Sequence, residues 1–193
     1  ANANLDELSR TYRISDAFID KYKSLHPQDQ ITTLDLYEEG ITFLPKGSLE
    51  EIHNPKTDTD RGHPILKYTY QFLENDKYVI AAPFWNLSIP AILKAYIDYI
   101  MVTGLTFKYT DSGAVGLCQG KKAIHITSRG GYYNIDPYAA YEMGDRYLRV
   151  IFGFLGITDF ITVAANGTDI IGNDVEAIIN DAVREAYKAA EIF

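Results

Sequence analysis

The sequence predicts a doubly wound parallel α/β sheet, and three observations lead there. Short β-rich runs recur at residues 31–36, 78–83, 122–128 and 159–165. Long stretches with helical periodicity separate them, which is the alternation of parallel strands with covering helices. A hydrophobic content of 47% against 23% charged residues suffices for a real core and excludes a disordered chain. No repeat, low-complexity tract or linker interrupts the pattern, so residues 1–193 read as a single domain.

Taken in order, the first helix places Leu8, Tyr12, Phe18, Tyr22 and Leu25 on a loosely periodic face. Residues 47–62, rich in charge, Pro and Thr, read as a long irregular connection. Pro90 opens a helix carrying Ile92, Leu93, Tyr96, Ile97 and Ile100, since proline suits the first turn. Residues 145–154 form another. In the last helix Asp174 is the N-cap, and Val175, Ile178, Ile179, Ala182, Val183, Ala186, Tyr187 and Ala190 share one face. One part is absent. A doubly wound domain begins with a strand that feeds its first binding loop. This sequence begins Ala1-Asn2-Ala3-Asn4, without Met, and enters a helix almost at once. We therefore expect a first strand upstream of Ala1 that the sequence does not include.

Charge and motif content narrow the function. A net charge of −8 and a pI near 4.9 argue against nucleic acid or an anionic membrane as partner, both being polyanions. No run of apolar residues is long enough to span a bilayer, and no signal-peptide pattern opens the chain. A single cysteine, Cys118, excludes an intramolecular disulfide framework and suits a reducing compartment, so the cytoplasm is expected. Cys118 itself reads as a partly buried small hydrophobe. The four histidines, His26, His53, His63 and His125, lack metal-ligand spacing, and no nucleophile elbow, Walker sequence or Gly-x-Gly-x-x-Gly fingerprint is present. Hydrolytic and metal chemistry lack parts, and a bound organic cofactor becomes the expected carrier of the chemistry.

Ligands bind open α/β sheets at the carboxyl ends of the strands. After the second run comes Pro83-Phe84-Trp85-Asn86-Leu87-Ser88-Ile89-Pro90, a loop stiffened by two prolines and carrying two large aromatics and an amide. After the third comes Ser128-Arg129-Gly130-Gly131, whose adjacent glycines allow close backbone approach and offer bare N–H donors. Either loop alone is equally well a tight turn. On neighbouring strands they form a flat slot with apolar walls, suited to a planar heteroaromatic ring. The 15 tyrosines serve a Tyr-rich core or stack on such a ring. Ser9, Arg10 and Thr11 begin the first helix, where free N–H groups and the dipole favour an anion; an ordinary helix cap with a solvent-facing Arg10 fits the same residues.

These loops resemble those of the FMN-dependent NADH azoreductases and NADH:quinone oxidoreductases. The similarity runs from the 83–90 loop through Leu93-Lys94-Ala95-Tyr96-Ile97-Asp98, Gly104-Leu105-Thr106-Phe107-Lys108-Tyr109-Thr110, Ser128-Arg129-Gly130-Gly131 and Gly153-Phe154-Leu155-Gly156-Ile157-Thr158, covering roughly residues 8–170. The resemblance implies a flavodoxin-like fold, a homodimer with one FMN per subunit, and ping-pong hydride transfer from NADH through FMN to a quinone or azo acceptor. It implies that Ser9 and Thr11, with Arg10 between them, hold the FMN phosphate. It assigns Pro83, Phe84, Trp85, Asn86 and Leu87 to the flavin ring, and Ser128, Arg129, Gly130 and Gly131 to a second flavin loop. Within these, Asn86 and the N–H groups of Gly130 and Gly131 are expected at the flavin's pyrimidine edge. Tyr109 and Phe154 would shape the substrate slot, partly from the other subunit. Leu87 stands where many members carry an aromatic, which implies weaker stacking on the substrate. The same fold also admits an electron carrier without its own small-molecule substrate.

Overall fold

The computed structural model describes residues 9–52 and 58–193. Its centre is a parallel sheet of β1 (Lys77–Ala81), β4 (Lys122–Arg129) and β5 (Asp159–Asn166), with β4 in the middle. Between β1 and β4, β2 (Phe107–Thr110) and β3 (Gly113–Gly116) form a separate antiparallel hairpin. The helices are α1 (Arg10–Leu25), α2 (Ser48–Ile52), α3 (Leu66–Glu74), α4 (Ala91–Ile100), α5 (Gly144–Phe154) and α6 (Val175–Ile192). None among the described residues is long and apolar enough to cross a membrane.

Side chains alternate across a strand, and β4 uses that alternation to divide the core in two. Ile124 and Ile126 face α1 and α6, packing with Ile14, Phe18, Ile179, Ala182 and Ala186. Ala123 faces the other layer, with Leu93, Ile97, Leu148 and Phe152. Burying each large apolar side chain contributes about 1.5–3 kcal/mol, so both helical layers are held to the sheet. This is the doubly wound arrangement that the alternating pattern predicts, and it brings the ends of β4 and β5 out between the two layers.

Local signals account for the starts of α4 and α6. Asp174 caps α6 by accepting the Ala177 N–H at 3.0 Å, and Pro90 stands at the N-cap of α4. The first helix buries Phe18 and Tyr22 as expected, but the face extends to residues the periodicity did not single out. Thr11, Ile14, Ser15, Phe18 and Tyr22 are buried, while Leu25 is exposed and Leu8 lies outside the described residues. The connection at 47–62 is not wholly irregular, because α2 lies within it.

One expected strand does not form. Residues 31–36 take part in no ladder among the described residues. A strand exists only through its partner, and β-branched composition cannot supply one. The edge of β1 away from β4 likewise has no strand partner among the described residues.

Candidate functional site

The three predicted binding segments meet at Ser128. Its hydroxyl is 2.8 Å from the Thr11 hydroxyl, and its carbonyl accepts the Phe84 N–H at 3.2 Å. Thus the start of α1, the loop after β1 and the loop after β4 converge at the carboxyl end of the sheet. Ser9 and Thr11 are buried there, and Ser9 caps α1 through the Tyr12 N–H at 3.1 Å. The cap leaves the first N–H groups of α1 near the junction, where the helix dipole favours an anion.

A fourth segment, missed in the sequence, completes the cradle. Residues 167–169 follow β5 and lie against the loop after β4. Thr168 N–H donates to the Arg129 carbonyl at 3.1 Å, Asp169 N–H to Gly130 at 3.0 Å, and Gly167 N–H to Gly131 at 3.0 Å. These bonds engage the carbonyls of 129–131. Among the described residues no protein acceptor takes the N–H groups of Gly130 or Gly131. A Cβ at Gly130 would stand 2.5 Å from Asp169 Oδ2 and one at Gly131 would stand 3.1 Å from the Tyr133 ring, so a side chain at either position would have to displace a neighbouring one. Arg10 is anchored to the same segment, donating to Thr168 Oγ1 at 2.9 Å and pairing with Asp169 at 2.5 Å. Its charge is therefore partly compensated at the cradle. The signal was available, since Gly167 follows a strand just as Gly130 does.

The loop after β1 carries a constrained backbone. Asn86 and Leu87 have φ of 50° and 67°, and Trp85 and Ser88 exchange two N–H···O bonds of 3.0 Å across them. Consecutive left-handed residues closing a two-residue turn make a type I′ turn. Asn accepts this conformation readily, whereas Leu does so at a cost of about 1–2 kcal/mol. The Leu87 carbonyl is held by the Met143 N–H at 3.1 Å. Pro83 and Pro90 are buried at the loop's ends, Phe84 and Trp85 are half-buried, and Asn86 and Leu87 are exposed at its tip.

Tyr109 and Phe154 lie elsewhere in the same chain. Both pack on Phe107, at ring separations of 5.6 and 5.0 Å, beside the β2–β3 hairpin. Gly144, at the other end of α5, touches Phe84. Ten residues of helix put Phe154 about 15 Å from that contact. Within one chain these two aromatics therefore do not join the cofactor loops.

Beneath the cradle, β4 turns His125, Thr127 and Arg129 toward α5, and all three are buried. His125 donates from Nδ1 to Asp145 at 3.0 Å, and Arg149 and Thr162 donate to the same carboxylate. Burial alone would raise the Asp145 pKa. The hydrogen bonds from His125, Thr162 and Arg149 and the charge on His125 outweigh it and hold the carboxyl well below the usual range. Burial lowers the Arg129 pKa, while Glu142 and Asp145 counter that shift. Thr127 Oγ1 is buried with no partner among the described residues. Such a hydroxyl costs about 1–3 kcal/mol, so Thr127→Val should raise the melting temperature by roughly 2–4 °C for each kcal/mol recovered. Calorimetry showing a lower melting point would mean that the hydroxyl has a partner. His125 is thus a buried hydrogen-bond partner of Asp145, and no metal-ligand cluster exists among the described residues. Cys118 is fully buried, with its thiol pushed up to about 11 chiefly by that burial, which removes it as a nucleophile at neutral pH.

Known proteins are similar to this chain along its whole length. A family model described as flavodoxin-like fold matches residues 1–190. An FMN-dependent NADH:quinone oxidoreductase of Clostridium acetobutylicum is 61% identical over all of this chain and 96% of its own length. Another from Caldicellulosiruptor saccharolyticus is 58% identical over the same shares. A solved azoreductase from Bacillus anthracis superposes with a TM-score of 0.90 at 36% identity, covering 100% of this chain and 96% of that one. An FMN-dependent NADH-azoreductase from the same species, solved with FMN, gives 0.84 at 32% identity over 95% and 90%. With this identity along its whole length, the chain belongs to the flavodoxin-like family of FMN-dependent NADH:quinone oxidoreductases.

Proposed function

We propose that this chain is an FMN-dependent oxidoreductase that carries electrons from NADH to quinones and azo compounds. Residues 1–193 act as a single FMN-binding domain in a cytoplasmic homodimer. The observation that carries this reading is the convergence on Ser128 of the α1 start and the two strand-end loops. A cradle with bare glycine N–H donors, two buried hydroxyls and a helix N-terminus fits a flat, phosphorylated heteroaromatic.

Held by these loops, FMN would supply the redox chemistry, hydride transfer between NADH and the acceptor in alternating half-reactions. The chain's residues bind and orient. Ser9 and Thr11 hold the phosphate at the start of α1, and Arg10, already paired with Asp169, adds a moderated positive charge. Pro83, Phe84, Trp85 and Leu87 wall the ring. Asn86 and the N–H groups of Gly130 and Gly131 would meet its pyrimidine edge, and Ser128 and Arg129 would fix the loop that presents them. Tyr109 and Phe154, with Val150 on the same face of α5, expose apolar surface away from their own cradle. That patch suits a two-fold contact delivering both aromatics to the partner's slot.

The purified chain, titrated with FMN, should quench flavin fluorescence to saturation at one FMN per subunit. Without oxygen or acceptor the complex should then oxidise about one NADH per FMN, should turn over continuously only when a quinone or azo dye is added, and should sediment as a dimer. Absence of saturable binding would overturn the reading. Binding without NADH oxidation, in a monomer, would favour an electron carrier.

A further inference from the structure

We infer that Glu142 is a positioning residue whose carboxylate sets the two flavin-facing loops at a fixed spacing. This rests on the assignment of those loops to FMN. Glu142 stands just before α5 and is 8% exposed. One oxygen accepts the Asp145 N–H at 2.8 Å and lies 3.3 Å from Arg129 Nη2; the other accepts the Arg146 N–H at 3.2 Å. A single carboxylate thus joins the first turn of α5 to the end of β4.

The loop after β1 is tied to the same point. Met143, next in sequence, donates to the Leu87 carbonyl, and Gly144 is pressed against this loop so closely that a Cβ would lie 3.2 Å from Phe84 and 3.4 Å from the Ser88 carbonyl carbon. Arg129 stands 5.8 Å from the centre of the Phe84 ring and follows Ser128, which accepts the Phe84 N–H. A helix cap alone would need only the α5 N–H groups. The reach to Arg129 adds the loop 128–131, and the Met143 bond adds the turn with left-handed Leu87. Such a turn persists only where its surroundings hold it. Without the Glu142 carboxylate, the first turn of α5 loses its tie to Arg129 at the end of β4, the Met143 bond no longer fixes the Leu87 turn relative to the loop 128–131, and Phe84 and Asn86 shift relative to Gly130 and Gly131.

The test compares wild type, Glu142→Gln and Glu142→Ala at a temperature where far-ultraviolet circular dichroism shows each folded. FMN affinity is read by fluorescence quenching, and ring environment by visible circular dichroism of bound FMN. We expect Glu142→Ala to weaken FMN binding about tenfold, equivalent to ~1.4 kcal/mol, with Glu142→Gln intermediate and the visible spectrum altered in both. Wild-type affinity and spectrum in both variants, with only lower melting points, would overturn the inference by reducing Glu142 to a cap. If Glu142→Ala does not fold, Glu142→Gln decides alone on the same two readings. Wild type that fails to bind FMN would refute the functional reading itself, a result distinct from either.

Discussion

Replacing Asp145 with Asn should lower stability by about 3 kcal/mol, because it removes a buried anion to which three neighbouring side chains donate. His125, 2% exposed, and Thr162 both donate to Oδ1 and would keep only a neutral amide oxygen there, while Arg149 would lose Oδ2 and meet an N–H donor in its place. At 2–4 °C for each kcal/mol in a domain of this size, the melting temperature should fall by roughly 6–12 °C. The effect has a pH signature. The folded-state pKa of Asp145 is depressed, so its contribution is fully present above the unfolded value of about 3.9 and is lost as pH falls below it. Wild type and variant should therefore differ most at neutral pH and converge as the solution is acidified below about pH 4. Calorimetry between neutral and acidic pH measures this directly. A constant gap would show that Asp145 acts through shape and packing, independent of its charge.

The same residues show what could be read in the sequence. β4, β5, α4 and α6 were legible because hydrophobic periodicity and Pro or Asp caps are local signals. The binding loops were legible because strand-end loops are where an α/β sheet binds ligands. What escaped depends on distant partners. Residues 31–36 have strand composition and no ladder. The β2–β3 hairpin has arms of only four residues, mostly exposed, and its turn at Asp111-Ser112-Gly113 was the lone local sign. Glu142 and Asp145 look like ordinary acids near a helix start. Their roles come from Arg129, His125 and Thr162, which the fold brings in from β4 and β5. Leu87 gives no hint of its left-handed backbone, since Leu rarely adopts one.

The functional counterpart is Asn86→Gly. Asn86 sits at φ 50° in the turn after β1, a conformation that Asn tolerates without any ligand. A leucine there would remove the amide and strain the backbone together, confounding two causes. Glycine keeps the left-handed backbone and removes only the amide. If that amide pairs with the pyrimidine edge of FMN, its loss leaves a polar edge unsatisfied at about 1–3 kcal/mol. FMN affinity should then fall by roughly 5- to 150-fold, while the cofactor-free melting curve stays near wild type. Because Ser9 and Thr11 still hold the phosphate end, excess FMN should restore much of the NADH oxidation. Were Asn86 present only for its backbone, Asn86→Gly would bind FMN as tightly as wild type. In that case Asn86→Leu would still melt earlier, by the left-handed cost of about 1–2 kcal/mol. Titration of FMN into the three proteins, beside their cofactor-free melting curves, separates these outcomes. Unchanged affinity in Asn86→Gly removes the amide from the flavin site.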